Sequence, residues 1–175
     1  LAGRAHYGIA NSEILVRYMN GSPLVALAPI FQSSPSAIVV RENSGIVSPQ
    51  GFFGKSIEID TKGGGNEVLA MLYLSGIKPS QIKVVDATLS LNNLLNSKVD
   101  ATAIYQTNEP FFLEKFGIPF RLIIPKNYGI DFYAECLFTS QSELKKNRSR
   151  TERFIAASIR GWDYALKNKE EIARL

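Results

Sequence analysis

The chain has 175 residues, 45% of them hydrophobic and 21% charged, an ordinary globular balance at a length that holds one average domain or two small lobes. One cysteine, Cys136, and one histidine, His6, exclude an internal disulfide and a Cys/His zinc site. The net charge of +4 is dispersed except for Lys145, Lys146, Arg148, Arg150 and Arg153, a solvated connector without the interleaved aromatics of a nucleic-acid surface.

No apolar run reaches the length of a membrane span, and no signal peptide is apparent. The chain starts at Leu1 without Met, in what reads as the last turn of a helix, so it is expected to be a piece of a longer protein. The missing signal then carries no weight.

From the amino end, residues 1–10 read as a helix end, a turn and a short strand. Residues 11–19 read as a helix capped by Asn11 or Ser12, with Ile14, Leu15, Tyr18 and Met19 as its apolar stripe and Gly21 at its end. Residues 23–28 form a continuous apolar run, the mark of a buried parallel strand, and residues 36–40 a second strand. Gly, Pro and Ser make residues 41–54 a loop. Strands at 55–60, 82–86, 101–105 and 120–124 then alternate with helices at 66–74, 89–96 and 109–116, the last with Pro110 in its first turn. A strand at 132–139 precedes helices at 140–146 and 150–167, with Phe154, Trp162 and Leu166 on one packing face, and a last helix begins at Asn168.

Alternating strands and helices predict an α/β fold with mostly parallel sheets. Residues 1–40 and 130–175 are expected to form lobe one, and residues 41–129 lobe two, with crossovers near Val39–Asn43 and Tyr128–Glu135. Residues 95–104 repeat the helix-end, turn and strand pattern of residues 1–10. Both strands run into polar residues, Asn11-Ser12-Glu13 in one copy and Tyr105-Gln-Thr-Asn-Glu109 in the other. Ligands of open α/β sheets sit past the carboxyl ends of strands, so two such ends predict a cleft between two lobes.

Three segments carry candidate chemistry. In Asp60-Thr-Lys-Gly-Gly-Gly-Asn-Glu67, Gly63, Gly64 and Gly65 follow a strand and open a helix at Asn66, so backbone N–H groups can approach a phosphate, carboxylate or ring acceptor. The spacing is neither a P-loop nor G-x-G-x-x-G, and the same residues also suit a plain surface turn. Tyr105, Gln106, Asn108 and Glu109 combine a ring to stack on with polar groups that orient a small heteroaromatic, and Asn108 and Glu109 also suit a helix start. Phe31 and Gln32 form a cleft lip, while Asp131 and Tyr133 lie on the return crossover. His6 reads as structural, Trp162 as packing, and Cys136 as a buried small residue.

Residues 2–12, 94–101, Thr107-Asn-Glu-Pro110, Tyr128-Gly-Ile-Asp-Phe-Tyr133 and Arg160-Gly-Trp-Asp-Tyr-Ala165 together resemble the thiamine-pyrimidine synthase and pyrimidine-precursor-binding (NMT/THI-like) branch of the type II periplasmic solute-binding proteins. The resemblance implies two Rossmann-like lobes joined by two crossovers, with lobe one incomplete at its amino end. It implies a non-catalytic module that binds a small heteroaromatic or anionic metabolite, such as a thiamine pyrimidine precursor, without a cofactor or metal. Its partners would be an ABC permease or a fused kinase or cyclase output domain, its location periplasmic or extracytoplasmic, and any membrane contact would run through segments outside this chain.

The candidate ligand-binding set is Asn11, Ser12, Phe31, Gln32, Gly63, Gly64, Gly65, Asn66, Tyr105, Gln106, Asn108, Glu109, Asp131 and Tyr133. Two alternatives share the fold. A pyrimidine synthase would need an active-site histidine and a cysteine-rich motif; this chain has no Cys cluster, so His6 and the carboxylates are its remaining candidates, with Lys62 the one obvious lysine for pyridoxal phosphate. The effector domain of a transcription regulator would sit behind a helix-turn-helix.

Overall fold

The computed structural model describes residues 4–61, 65–88 and 90–175. Among the described residues, eight strands form two sheets, accompanied by seven α-helices. The five-stranded sheet has the order β5-β4-β6-β3-β7, built from β3 (Ser36–Arg41), β4 (Ser56–Ile59), β5 (Lys83–Asp86), β6 (Ala101–Tyr105) and β7 (Phe120–Ile123). The three-stranded sheet has the order β1-β8-β2, from β1 (Tyr7–Ala10), β2 (Leu24–Phe31) and β8 (Ala134–Ser140).

In the larger sheet, β4 pairs in parallel with β5 and β6, while β3 runs antiparallel to β6 and β7. The strand β3 is its centre, with Ala37, Ile38, Val39 and Val40 all at 0% exposure. One face packs Ile38 and Val40 with Ile57, Ile59 and Val68, Met71 and Leu72 of α2 (Asn66–Leu74). The other packs Ala37, Val39 and Ile104 against Leu94 of α3 (Asn92–Leu95) and Leu113 of α4 (Glu109–Lys115). Each such aliphatic side chain contributes about 1.5–3 kcal/mol on burial.

Two expectations are corrected. The smaller sheet is antiparallel throughout, because β1 and β2 both pair with β8 running the other way. The strand at 36–41 belongs to the larger sheet, so the chain passes between sheets at residues 32–35 rather than at Val39–Asn43. Four consecutive apolar residues need cover on both faces, and only the sheet flanked by helices on both sides provides it. The return passage runs between β7 and β8.

The small sheet is braced by α5 (Gln141–Lys146) and α6 (Arg148–Lys167). Ser140 caps α5 by accepting from the Glu143 N–H at 3.0 Å. The Tyr7 ring stacks on Phe154 with centroids 4.1 Å apart, and Arg150 pairs with Glu143 at 2.7 Å. Further along α6, Trp162 is 49% exposed, so it does not pack as the helical spacing suggested. Beyond α1 (Glu13–Met19) and α6, the chain ends in α7 (Lys169–Ile172).

Candidate functional site

The ends of strands from both sheets meet at one cavity of about 680 Å³. The carboxyl end of β1 supplies Ile9, Ala10 and Asn11, β4 leads in through Glu58 and Asp60, and β5 through Ala87. From β6 come Thr102 through Tyr105, and the antiparallel strands β3 and β8 present their starts, Ser36 and Glu135. Glu13 of α1, Glu109 and Phe112 of α4, and Asn108 just before α4 complete the lining.

The tightest junction is polar. Asn11 Nδ2 donates to Tyr105 Oη at 2.7 Å, and Asn11 Oδ1 accepts from the Glu135 N–H at 3.1 Å. Tyr105 Oη donates in turn to Glu135 Oε1 at 3.4 Å. Burial pushes the Tyr105 phenol above its usual value, reinforced by the negative field of Glu135 and Glu67 and opposed by the Asn11 donor. Glu135 holds a left-handed backbone, with φ at 50°. A non-glycine residue adopts that region at a cost of about 1–3 kcal/mol, and here it aims the N–H at Asn11.

The cavity floor comes from the larger sheet. Glu58 and Thr102 are register partners on adjacent strands and face the same side. Glu58 is fully buried, accepting from the Thr88 N–H and Oγ1, both at 2.6 Å, and from Asn93 Nδ2 at 3.2 Å. Glu109 accepts from the Tyr105 N–H at 3.0 Å and from Asn108 Nδ2 at 3.1 Å. Among the described residues, the buried side-chain oxygens Thr102 Oγ1 and Glu13 Oε2 have no partner, and both residues line the cavity. Among the described lining residues there is no Lys, Arg or His.

Of the expected ligand-binding residues, Asn11, Tyr105, Asn108 and Glu109 are brought together here. Ser12 stands at the start of α1 without a side-chain cap bond, and Gly65 is buried at the start of α2 with Asn66 exposed after it. Gln106 reaches Ser36 O at 3.5 Å, and Gln32 reaches Pro29 O at 3.2 Å. Phe31 ends β2 away from the lining. Asp131 pairs with Lys126 at 3.0 Å on the surface, and Tyr133 is 57% exposed. Gly63 and Gly64 lie outside the described residues. His6 is exposed before β1. Cys136 is buried in β8, where burial and then the charge of Glu135 raise its thiol pKa.

Sequence reasoning missed Glu13, Glu58, Thr102 and Phe112. The signal for Glu58 was an acid inside Ile57-Glu58-Ile59, all three at 0% exposure. Alternation there read as a half-exposed strand, which hid the buried carboxylate.

The NMT1/THI5-like family model matches residues 1–172, so the chain belongs to that family. No curated protein sequence matches it. A solved structure from Bordetella bronchiseptica superposes with a TM-score of 0.79 at 20% identity, over 98% of this chain and 59% of the other. A putative periplasmic sulfonate-binding protein of an ABC transporter from Methylobacillus flagellatus gives 0.73 at 20% identity, over 99% and 54%. The periplasmic aliphatic sulphonate-binding protein of Escherichia coli gives 0.75 at 16% identity, over 97% and 58%. The fold is therefore that of the periplasmic binding proteins, and the chain spans somewhat over half the length of these relatives.

Proposed function

We propose that the chain is the binding part of an extracytoplasmic solute receptor that holds a small heteroaromatic molecule between its two sheets. A thiamine pyrimidine precursor is the first candidate, given the family. The observation that carries the reading is the convergence of strand ends from both sheets on one cavity, with Asn11 and Tyr105 hydrogen-bonded across it. The Tyr105 ring would stack on the ligand, while Asn11, Asn108 and Glu109 would bond its edge. Gly65 and Asn66, which open α2 after β4, would hold the ligand's polar end.

Closure over the ligand would create the form that an ABC permease, or a fused output domain, reads. Ligand shifts that equilibrium only as far as it favours the closed form. Binding rather than catalysis is supported by His6 and Cys136, which both lie outside the cavity lining. Titration calorimetry of the full-length protein with an aminopyrimidine tests the proposal. Saturable binding that Tyr105→Ala removes supports it, and binding unchanged in that variant contradicts it.

A further inference from the structure

We infer that the cavity selects a planar organic cation, such as an amidine or a protonated aminoheterocycle, over neutral and anionic rings of the same shape. The inference deepens the proposed function and rests on it. Its first support is an unsatisfied hydroxyl. Thr102 is 6% exposed, lines the cavity, and its Oγ1 has no hydrogen-bond partner. A buried hydroxyl left unpaired is costly, so such groups normally meet a partner. Glu13 Oε2, at the start of α1 after β1 of the small sheet, is a second unpartnered oxygen on a lining residue.

The second support is charge. Glu13, Glu58, Glu109 and Glu135 all line the cavity. The hydrogen-bond partners of three of them are neutral: Thr88 and Asn93 for Glu58, Tyr105 and Asn108 for Glu109, and Tyr105 for Glu135. No ion pair is seen for these four among the described residues. Glu58 is fully buried and Glu13, Glu109 and Glu135 are half-buried; carboxylates partly withdrawn from water favour a counter-charge, and walls lined by one sign of charge concentrate the opposite sign.

The occupant's shape follows from the spread of these groups. Among the described residues, no three acidic, histidine or cysteine side chains are grouped to hold one metal ion. A cation that distributes its charge over several donors fits the dispersed oxygens better. The rings of Tyr105 and Phe112 on the same lining add cation–π attraction for a flat cation. The solved sulfonate-binding relatives are named for anions, so charge selection here would be opposite.

The test is titration of the full-length protein with benzamidine, its neutral isostere benzamide, and benzenesulfonate. Benzamidine is expected to bind at least tenfold more tightly than benzamide, with benzenesulfonate weakest. Glu13→Gln and Thr102→Val, each first shown by melting to be folded, are expected to narrow the benzamidine-to-benzamide ratio severalfold. Equal binding of all three, or preference for benzenesulfonate, overturns the charge inference while leaving the cavity as a ring site. Failure of every ring compound removes the ring-site reading and this inference with it.

Discussion

Asn11 and Tyr105 stand 94 residues apart in the chain, yet the Asn11 amide donates to the Tyr105 hydroxyl at 2.7 Å. Asn11 follows the first strand of the small sheet, and Tyr105 ends β6 of the large one. The bond therefore links the two sheets at the cavity. Tyr105 is both a wall of the cavity and a latch across it.

Tyr105→Phe separates those two roles. The ring remains while the bonds to Asn11 and Glu135 are lost. Melting should show a loss of about 1 kcal/mol, the net worth of one ordinary hydrogen bond, and ring-ligand affinity should stay within a fewfold of wild type. Tyr105→Ala should abolish that affinity.

Asn11→Ala leaves the Glu135 N–H and the Tyr105 hydroxyl each short of a partner. Loss of a bond with a group left unsatisfied costs about 1–3 kcal/mol. Small-angle scattering of the full-length variant without ligand should show a larger radius of gyration than wild type, because the polar tie between sheets is gone. An unchanged radius would place the hinge resistance elsewhere.

Glu135 carries backbone strain that glycine would not feel, since its φ is 50°. Glu135→Gly should be more stable than Glu135→Ala by about 1 kcal/mol in denaturant unfolding. Both variants should bind ring ligands more weakly, because both lose the carboxylate at the cavity.

Gly65 begins α2 against Ile59, where an added Cβ would lie 2.1 Å from Ile59 Cγ2 and 2.7 Å from Asp60 O. One obstacle is backbone, so Gly65→Ala should destabilise the protein by about 1–3 kcal/mol. Thermal melting checks this without reference to any ligand.

The acid limb of stability should depend on Asp100. Burial would raise its pKa, but the Ser56 N–H and hydroxyl, each 2.8 Å away, and Lys55 lower it below 3.8 overall. A carboxylate with a depressed native pKa contributes stability above its unfolded value, and that contribution fades as pH falls through the native value. Asp100→Asn should therefore be less stable than wild type at neutral pH and lose less stability on acidification below pH 4.

Much of this architecture is legible in the residues themselves. The helix at 66–74 and the strand at 101–105 match their expected bounds, because Gly65 and Gly76 and the short apolar run leave little freedom. The repeated strand-to-polar junction pointed to Asn11 and Tyr105, which the fold joins. Strand direction was not legible: β2 reads as a parallel run, but only its partner β8 decides that it is antiparallel. Glu58, Thr102 and Glu13 escaped because their importance arises from burial beside strands distant in sequence. The glycine loop drew attention through composition, whereas the described cavity wall is built mainly from strand ends and acids.

The most direct measurement is a thermal-shift titration of the full-length protein and its Tyr105→Ala variant with an aminopyrimidine. At a hundredfold excess over Kd, binding should stabilise wild type by about 2.7 kcal/mol and leave the variant unchanged. An equal shift in both proteins would mean that the ligand binds away from the junction of β1 and β6, and would contradict the account.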